Sequence, residues 1–168
     1  GSTGAPKGAV LQHRGLGNLI EWQASQPGLD RPARTLHFAA LCFDVSFTET
    51  FTTWAAGGTL VLVDDDTRRD FHALQRFIEQ REIERVFLPC AALQPFAEAL
   101  CAAGDPGAVP TCTDIIVSGE QLNITPPIRA MFEQHSAMRL HNHYGPAETH
   151  VVTSYTFPED RSSWVAKA

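Results

Sequence analysis

Short apolar runs alternate with segments of helical periodicity along almost the whole chain. The runs have the length and the flanking turn residues of buried strands, and they predict strands at 35–40, 59–63, 85–88, 114–118, 139–142 and 151–157. Apolar residues three or four positions apart predict helices around 16–23, 47–54, 71–78, 93–100 and 128–132. The acidic run 64–66 is predicted to be a solvated loop, and the polar run 159–163 shows no further element.

Strands that alternate with helices in this way form β-α-β units, so the sequence predicts an α/β fold with a mainly parallel sheet and helices on both faces. Gly57 and Gly58 are typical of a helix end, while Thr125 and Pro126 are typical of a helix start. In this class of fold, ligands contact the carboxyl ends of the strands. We therefore expect functional residues just after the predicted strands.

Composition and charge narrow the functional classes. The 168 residues are 43% hydrophobic and 19% charged, and the net charge of −6 comes without a Lys/Arg stripe, which argues against nucleic acid as a partner. The chain shows neither a charged-then-apolar leader nor an apolar run that could span a bilayer, and its four cysteines have no C-x-x-C spacing. We therefore expect a cytoplasmic protein with reduced thiols and no membrane partner.

The first segment with candidate chemistry is the glycine loop at residues 1–8. Its three glycines, two hydroxyls and Lys7 can surround an anion with backbone N–H groups and one positive charge. It is not a Walker loop, because Lys7 is followed by glycine. Glycine content alone is as typical of a plain turn, so both interpretations stay open. No predicted strand precedes the loop, and we expect both ends of the chain to be cuts within a longer domain.

Two further segments combine strand ends with polar side chains. In the segment 142–149 a tyrosine can stack on a purine and Glu148 can bind Mg²⁺ through oxygen, although a tight turn with a capping acid has the same pattern. In the segment 43–46, Asp44 lies among apolar residues. Its carboxylate either caps the following helix or pairs with a bound cation.

Together with Ser118-Gly119-Glu120, and in this order, these segments resemble the adenylate-forming enzymes, and among them the amino-acid adenylation domains of nonribosomal peptide synthetases. The resemblance spans nearly the whole chain. It implies that residues 1–168 are part of the N-terminal core of such a domain, a flavodoxin-like subdomain without the C-terminal lid. It also implies the reaction, in which an amino-acid carboxylate attacks the α-phosphorus of ATP to give aminoacyl-AMP and pyrophosphate.

The resemblance assigns nucleotide-binding residues one by one. In the family the glycine loop holds the β- and γ-phosphates of ATP, and Glu148 matches the Mg²⁺ ligand. Thr149, which matches the hydroxyl on the α-phosphate, and Lys7 are the expected catalytic residues. Ala147 departs from the threonine or serine that is common at its position. The expected ATP-binding set is Ser2, Thr3, Gly4, Lys7, Gly119, Glu120, Gln121, Asn142, Tyr144, Gly145, Glu148 and Thr149.

The resemblance also implies the substrate class. Asp44 matches the carboxylate that pairs with the α-ammonium group of an amino acid, a group that the substrates of acyl-CoA ligases lack. The pocket is similar to those that select proline and departs from them at Thr48, Phe87 and Ser118, so we expect proline, a proline-like imino acid or a small apolar amino acid. His143 is expected to be neutral and packed in the wall of this pocket. The expected pocket residues are Asp44, Val45, Thr48, Phe87, Ile116, Ser118, His143, Val151 and Val152.

The same resemblance implies partners and limits. In the parent synthetase the remaining adenylation-domain segments complete the site, and condensation and peptidyl carrier domains, the latter bearing phosphopantetheine, are the further partners. The later family motifs, including the catalytic lysine of the lid, do not occur in these residues, so we expect the chain alone to be inactive. Two alternatives remain: a non-catalytic α/β specificity subdomain, and another adenylate-forming ligase of the acyl-CoA ligase type.

Overall fold

The computed structural model describes residues 8–102 and 109–166. They form one six-stranded sheet with helices on both faces. The elements in chain order are α1 (His13–Ala24), β1 (Arg34–His37), α2 (Val45–Phe47), a π-helical segment (Thr48–Thr52), α3 (Thr53–Ala55), β2 (Thr59–Leu62), α4 (Asp65–Arg69), α5 (Phe71–Gln80), β3 (Arg85–Pro89), α6 (Cys90–Ala102), β4 (Asp114–Ser118), α7 (Pro126–Gln134), β5 (Arg139–Tyr144), β6 (Thr153–Thr156) and a 3-10 turn (Arg161–Ser163).

The strand order is β2-β1-β3-β4-β5-β6. The first five strands are parallel, in the order typical of flavodoxin-like folds, and β6 runs antiparallel to β5 at one edge. The structure therefore confirms the predicted α/β class and the mainly parallel sheet. All six predicted strands and all five predicted helices are present, with shifts at their ends.

The two faces of the sheet carry different residues because side chains alternate along each strand. On one face, Val86, Ile115 and Leu140 pack into a large core with apolar residues of α5, α6 and α7. On the other face, Phe87 and Ile116 form a small cluster with Leu29, against which Val45 of α2 packs. The second face, which α1 and the segment 45–55 cover, is where the candidate site lies.

A buried ionic network fixes the amino-terminal ends of β4 and β5 on that second face. The fully buried Asp114 carboxylate accepts a hydrogen bond from Arg139 Nε at 2.9 Å and lies 3.2 Å from Nε2 of His141. Burial alone raises the pKa of Asp114, but the contact with His141 and the charge of Arg139 outweigh it and hold the pKa below its usual range. The network lies at the end of the sheet opposite to the candidate site.

Two polar segments form short elements that the sequence analysis did not predict, although residues 64–66 are exposed as expected. Asp64 caps α4, since its Oδ1 accepts from the Thr67 N–H at 2.8 Å and its Oδ2 accepts from the Thr67 hydroxyl at 2.8 Å. The acidic run is therefore the start of a short helix, where negative charge is favourable. Similarly, Asp160 caps the 3-10 turn through the Ser162 N–H at 3.0 Å. In the described ranges no helix is both long and apolar enough to cross a membrane.

Candidate functional site

Asp44 lies where the chain enters α2 after β1. Its Oδ1 accepts a hydrogen bond from the Val45 N–H at 2.8 Å, so the carboxylate does cap the helix. Its Oδ2 lies 3.8 Å from Nδ1 of His150, and 28% of the side chain is exposed. One oxygen of the carboxylate is thus engaged with the helix, while the other lies nearest to the His150 ring on a partly exposed side chain.

Next to Asp44, the structure brings three of the expected pocket residues into one cluster. Val45 packs against Phe87 of β3 and Ile116 of β4. Phe87 and Ile116 are neighbours in the register of the two strands, and both are buried. Three of the expected pocket residues therefore pack together, and their role in binding a substrate stays a prediction.

His143 adds an uncharged polar group to the same face of the sheet. It is buried on β5, and its ring meets the ring of Trp22 edge-on at a centroid distance of 5.3 Å. Burial, and secondarily the nearby His141, lower the pKa of His143 to about 3, so the imidazole is neutral near pH 7. The expectation of a neutral packed histidine agrees with this geometry.

Other expected pocket residues differ in their exposure. Thr48 is buried in the π-helical segment, and its hydroxyl has no hydrogen-bond partner among the described residues. Ser118 is half-buried at the end of β4. Val151 and Val152 precede β6 instead of starting it, and Val152 is 58% exposed. The structure therefore does not place Val152 in the buried cluster.

The loop after β5 folds back tightly at Gly145. A Cβ atom built on Gly145 would lie 1.6 Å from the carbonyl oxygen of His150, so only glycine fits at this close approach. The Thr149 N–H donates to the Pro146 carbonyl at 3.0 Å, and His150 adopts a left-handed φ of 57°. This turn directs Glu148 and Thr149 towards the start of α1.

Between that loop and α1 lies an open cavity. Arg14 and Asn18 of α1 line it together with Glu148 and Thr149. Glu148 is exposed and makes no ion pair with any other described residue, so its oxygens are available to a divalent cation. A guanidinium and a hydroxyl in the same cavity are the groups that a phosphate oxygen requires.

The expected adenine-binding residues lie at the surface. Gly119 has φ 101° after β4, and Glu120 and Gln121 are exposed. Tyr144 is 66% exposed at the end of β5, and Asn142 shares its strand face, opposite to His143. The Glu120 carbonyl accepts from Cys90 Sγ at 3.2 Å. Residues 119–121 follow β4 and Tyr144 ends the neighbouring parallel strand β5, so both lie at the carboxyl ends of the strands.

The glycine loop cannot be placed in this geometry. Ser2, Thr3, Gly4 and Lys7 lie outside the described residues. Their assignment to the phosphates of ATP, and the catalytic assignment of Lys7, stay predictions.

The sequence analysis missed Glu49. This carboxyl is fully buried in the π-helical segment and accepts hydrogen bonds from the Ala39 N–H at 3.0 Å and the Phe38 N–H at 3.2 Å. Burial raises the pKa of Glu49 to about 8, although these hydrogen bonds and the charge of Arg68 lower it. Glu49 thus connects the loop after β1, which leads to Asp44, to the helix that follows it. Its place among apolar residues of an amphipathic helix was the only signal in the sequence.

The fold is that of an α/β core in which ligands contact the carboxyl ends of the parallel strands, and the candidate residues lie at that end of the sheet. Comparison with known proteins identifies its family. The chain belongs to the AMP-binding enzyme family, whose model matches residues 1–167. The resemblance predicted from the sequence motifs is thereby confirmed at the level of the family.

Similar proteins include large peptide synthetases. Tyrocidine synthase 2 of Brevibacillus parabrevis is 38% identical over 157 residues, which are 93% of this chain and 4% of that protein. Gramicidin S synthase 2 of Brevibacillus brevis is 36% identical over 158 residues, which are 93% of this chain and 3% of that protein. The crystal structure of IdnL1 superposes with a TM-score of 0.79 at 25% identity and covers 96% of this chain and 33% of that one. The chain therefore spans a few per cent of the length of these curated relatives.

Proposed function

We propose that residues 1–168 are part of the N-terminal core of an amino-acid adenylation domain, and that the intact domain activates an amino acid as its adenylate for nonribosomal peptide synthesis. The observation that carries this proposal is the partly exposed Asp44 carboxylate beside the cluster of Val45, Phe87 and Ile116. A partly exposed carboxylate beside apolar residues can pair with a cation, and an α-ammonium group is one. The membership of the AMP-binding enzyme family and the peptide-synthetase relatives support it.

The cavity between α1 and the loop after β5 is the proposed phosphate side of the site. Glu148 suits Mg²⁺, which is held in such sites by one or two carboxylates together with substrate phosphates and water. When bound, the ion neutralises phosphate charge. Arg14 and Thr149 line the same cavity, where the guanidinium can donate to phosphate oxygens and the Thr149 hydroxyl can do so in exchange for the Pro146 carbonyl 3.3 Å away. The exposed ring of Tyr144 and the segment 119–121 offer a surface for the adenine.

The substrate side of the site favours a small apolar amino acid. His143 is neutral, Phe87 and Ile116 are apolar, and Thr48 supplies one hydroxyl without an intramolecular partner among the described residues. With Asp44 the only acid among the proposed pocket residues, an additional charged group on the substrate side chain would be left unpaired there. We therefore propose proline or a similar imino acid first, and a small branched amino acid second.

The proposed context is that of the relatives. The remaining segments of the adenylation domain would complete the site, and condensation and carrier domains, the latter with phosphopantetheine, would be the partners in the assembly. Isolated residues 1–168 are proposed to be inactive. ATP–pyrophosphate exchange by the isolated chain above a blank would contradict this part of the proposal.

The whole proposal is tested with the intact adenylation domain that contains this chain. Exchange is measured with each of the common amino acids and with a series of fatty acids. We expect exchange that depends on an amino acid and is highest for proline or a small apolar one. Exchange that depends on a fatty acid would support the acyl-CoA ligase alternative, and no exchange with any acid would support the non-catalytic alternative.

A second arm of the experiment addresses the phosphate side. Glu148→Gln removes the proposed metal ligand and should lower the exchange rate by at least about tenfold, with a higher Mg²⁺ requirement. Glu133→Gln, at an exposed position of α7, is the matched control and should leave the rate unchanged. Equal rates for Glu148→Gln and the wild type would remove Glu148 from the proposed site.

A further inference from the structure

We propose that Trp22 and Gln23, at the end of α1, are positioning residues for substrate specificity: they hold His143 and Thr48, two of the proposed pocket residues. The inference rests on the function proposed above. Neither Trp22 nor Gln23 belongs to the sequence segments that identified the pocket. Their involvement follows only from the way α1 packs against the sheet.

The first part of the argument is a buried hydrogen-bond chain from α1 to the π-helical segment. The Gln23 side chain is fully buried, and its Nε2 donates to the Thr52 hydroxyl at 2.7 Å. That hydroxyl in turn donates to the Thr48 carbonyl at 2.5 Å. Gln23 therefore fixes, through one side chain, the turn of helix that presents Thr48.

The hydrogen bonds from Gln23 through Thr52 to Thr48 matter because of the geometry of the turn that they hold. The segment Thr48–Thr52 is π-helical between two short α-helical pieces. A π-helical turn is rare, is wider than an α-helical turn by one residue and is frequent at functional sites. The Thr52 hydroxyl engages the Thr48 carbonyl from within the widened turn, and Gln23 orients that hydroxyl by occupying its acceptor side. Without the donor from Gln23, the side chain that sets this turn would lose its orientation.

The second part of the argument is the contact between Trp22 and His143. Trp22 directs its ring to His143 of β5, with an angle of 63° between the rings. His143 is buried and Trp22 half-buried, so the indole fills the space behind the imidazole. A smaller side chain at position 22 would let the His143 ring withdraw from the pocket.

Adjacent residues of α1 thus contact one proposed pocket residue, His143, directly and reach another, Thr48, through Thr52. The end of α1 is itself well fixed, because the Trp22 carbonyl accepts from the Ser25 N–H at 3.0 Å and from the Ser25 hydroxyl at 2.6 Å. On this proposal the separation of Thr48 and His143 is set by Trp22 and Gln23, which are not themselves among the proposed pocket residues. Loosening either contact should widen the pocket and admit larger amino acids.

The test compares substrates in the intact adenylation domain. The kcat/KM for amino-acid-dependent exchange is measured for the preferred amino acid and for a homologue with one more methylene, together with the KM for ATP. The variants are Trp22→Leu and Gln23→Met, the second of which keeps the volume but loses the donor. Glu21→Gln, on the exposed side of α1, is the control.

We expect Trp22→Leu and Gln23→Met to reduce the ratio of the two kcat/KM values by about tenfold, which is within the discrimination that one methylene provides. The KM for ATP should stay within about twofold of the wild type, and Glu21→Gln should change neither quantity. Thr52→Val should lower this ratio as much as Gln23→Met does. Thr52→Ser retains the hydroxyl and should keep the wild-type ratio. This pair keeps the test valid if a substitution in α1 destabilises the fold.

Two results would overturn the inference, and they differ from a failure of the proposed function. A ratio that is unchanged in all variants, or an equal fall for both amino acids, would reduce Trp22 and Gln23 to general structural residues. A wild-type domain that activates no amino acid would instead refute the proposed function, and this inference with it.

Discussion

Replacement of Glu49 by glutamine should make the stability of the chain less dependent on pH. Glu49 is fully buried, and burial raises the pKa of its carboxyl from the ordinary 4.5 to about 8. The groups that face it are the N–H groups of Phe38 and Ala39, His37 Nε2 at 3.8 Å and, further away, the charge of Arg68. The carboxyl is therefore protonated in the folded chain near neutral pH.

The sign and size of the effect follow from that shift. Between pH 4.5 and about 8 the folded chain holds a proton on Glu49 that the unfolded chain has released. Stability from this group is fully present below pH 4.5 and is lost as the pH rises to about 8, by about 1.4 kcal/mol per pH unit. From about pH 5.5 to about pH 7.5 the wild type should therefore lose about 3 kcal/mol relative to Glu49→Gln.

The measurement is urea unfolding of both chains at several pH values in that range. Taking the difference between the two chains removes the contributions of titrating groups that do not contact Glu49. Near pH 5.5 the Glu49→Gln chain should be as stable as the wild type or less stable. Above about pH 7.5 the Glu49→Gln chain should be the more stable of the two. A difference that stays constant with pH, or that changes in the wild type's favour as the pH rises, would refute the reasoning.

Two further predictions concern the loop after β5 and the buried ionic network. Gly145→Ala should lower exchange by the intact domain at least about tenfold, because a Cβ atom would lie 1.6 Å from the His150 carbonyl oxygen; Gly17→Ala, which meets no atom within 4 Å, should leave exchange unchanged. Asp114→Ala should lower the free energy of unfolding by about 3 kcal/mol, since the carboxylate between Arg139 and His141 is fully buried. Asp66→Ala, at an exposed position, is the control, and urea unfolding should show a change in the free energy of unfolding within about 0.5 kcal/mol. A loss in Asp66→Ala as large as that in Asp114→Ala would contradict the account.

The elements were predictable from sequence wherever local pattern decides them. Apolar periodicity predicted the strands and the long helices. It did not predict where β1 ends. The predicted strand continued to residue 40, but β1 ends at His37 because Glu49 takes the N–H groups of Phe38 and Ala39. That bond joins residues ten or eleven positions apart through a helix, which no strand pattern encodes. Short capped elements such as α4 were missed because they carry no apolar periodicity.

The candidate site was predictable only as far as the motifs reach. Asp44 was ambiguous between a helix cap and a partner for a cation, and the structure shows the cap on one oxygen and the His150 ring 3.8 Å from the other. Trp22 and Gln23 gave no signal, because their contacts are with His143 and Thr52, far along the chain. Such contacts depend on the packing of α1 against the sheet, which is a property of the whole fold.

The measurement that tests the central claim most directly is amino-acid-dependent exchange by the intact domain carrying Asp44→Asn or Asp70→Asn. Both aspartates cap helices, and asparagine caps as well, so each substitution removes only the charge. The account predicts that Asp44→Asn lowers kcat/KM for the amino acid by about 100-fold with little change in the KM for ATP, while Asp70→Asn behaves as the wild type. Wild-type kcat/KM in Asp44→Asn would contradict the assignment of the α-ammonium group to this carboxylate.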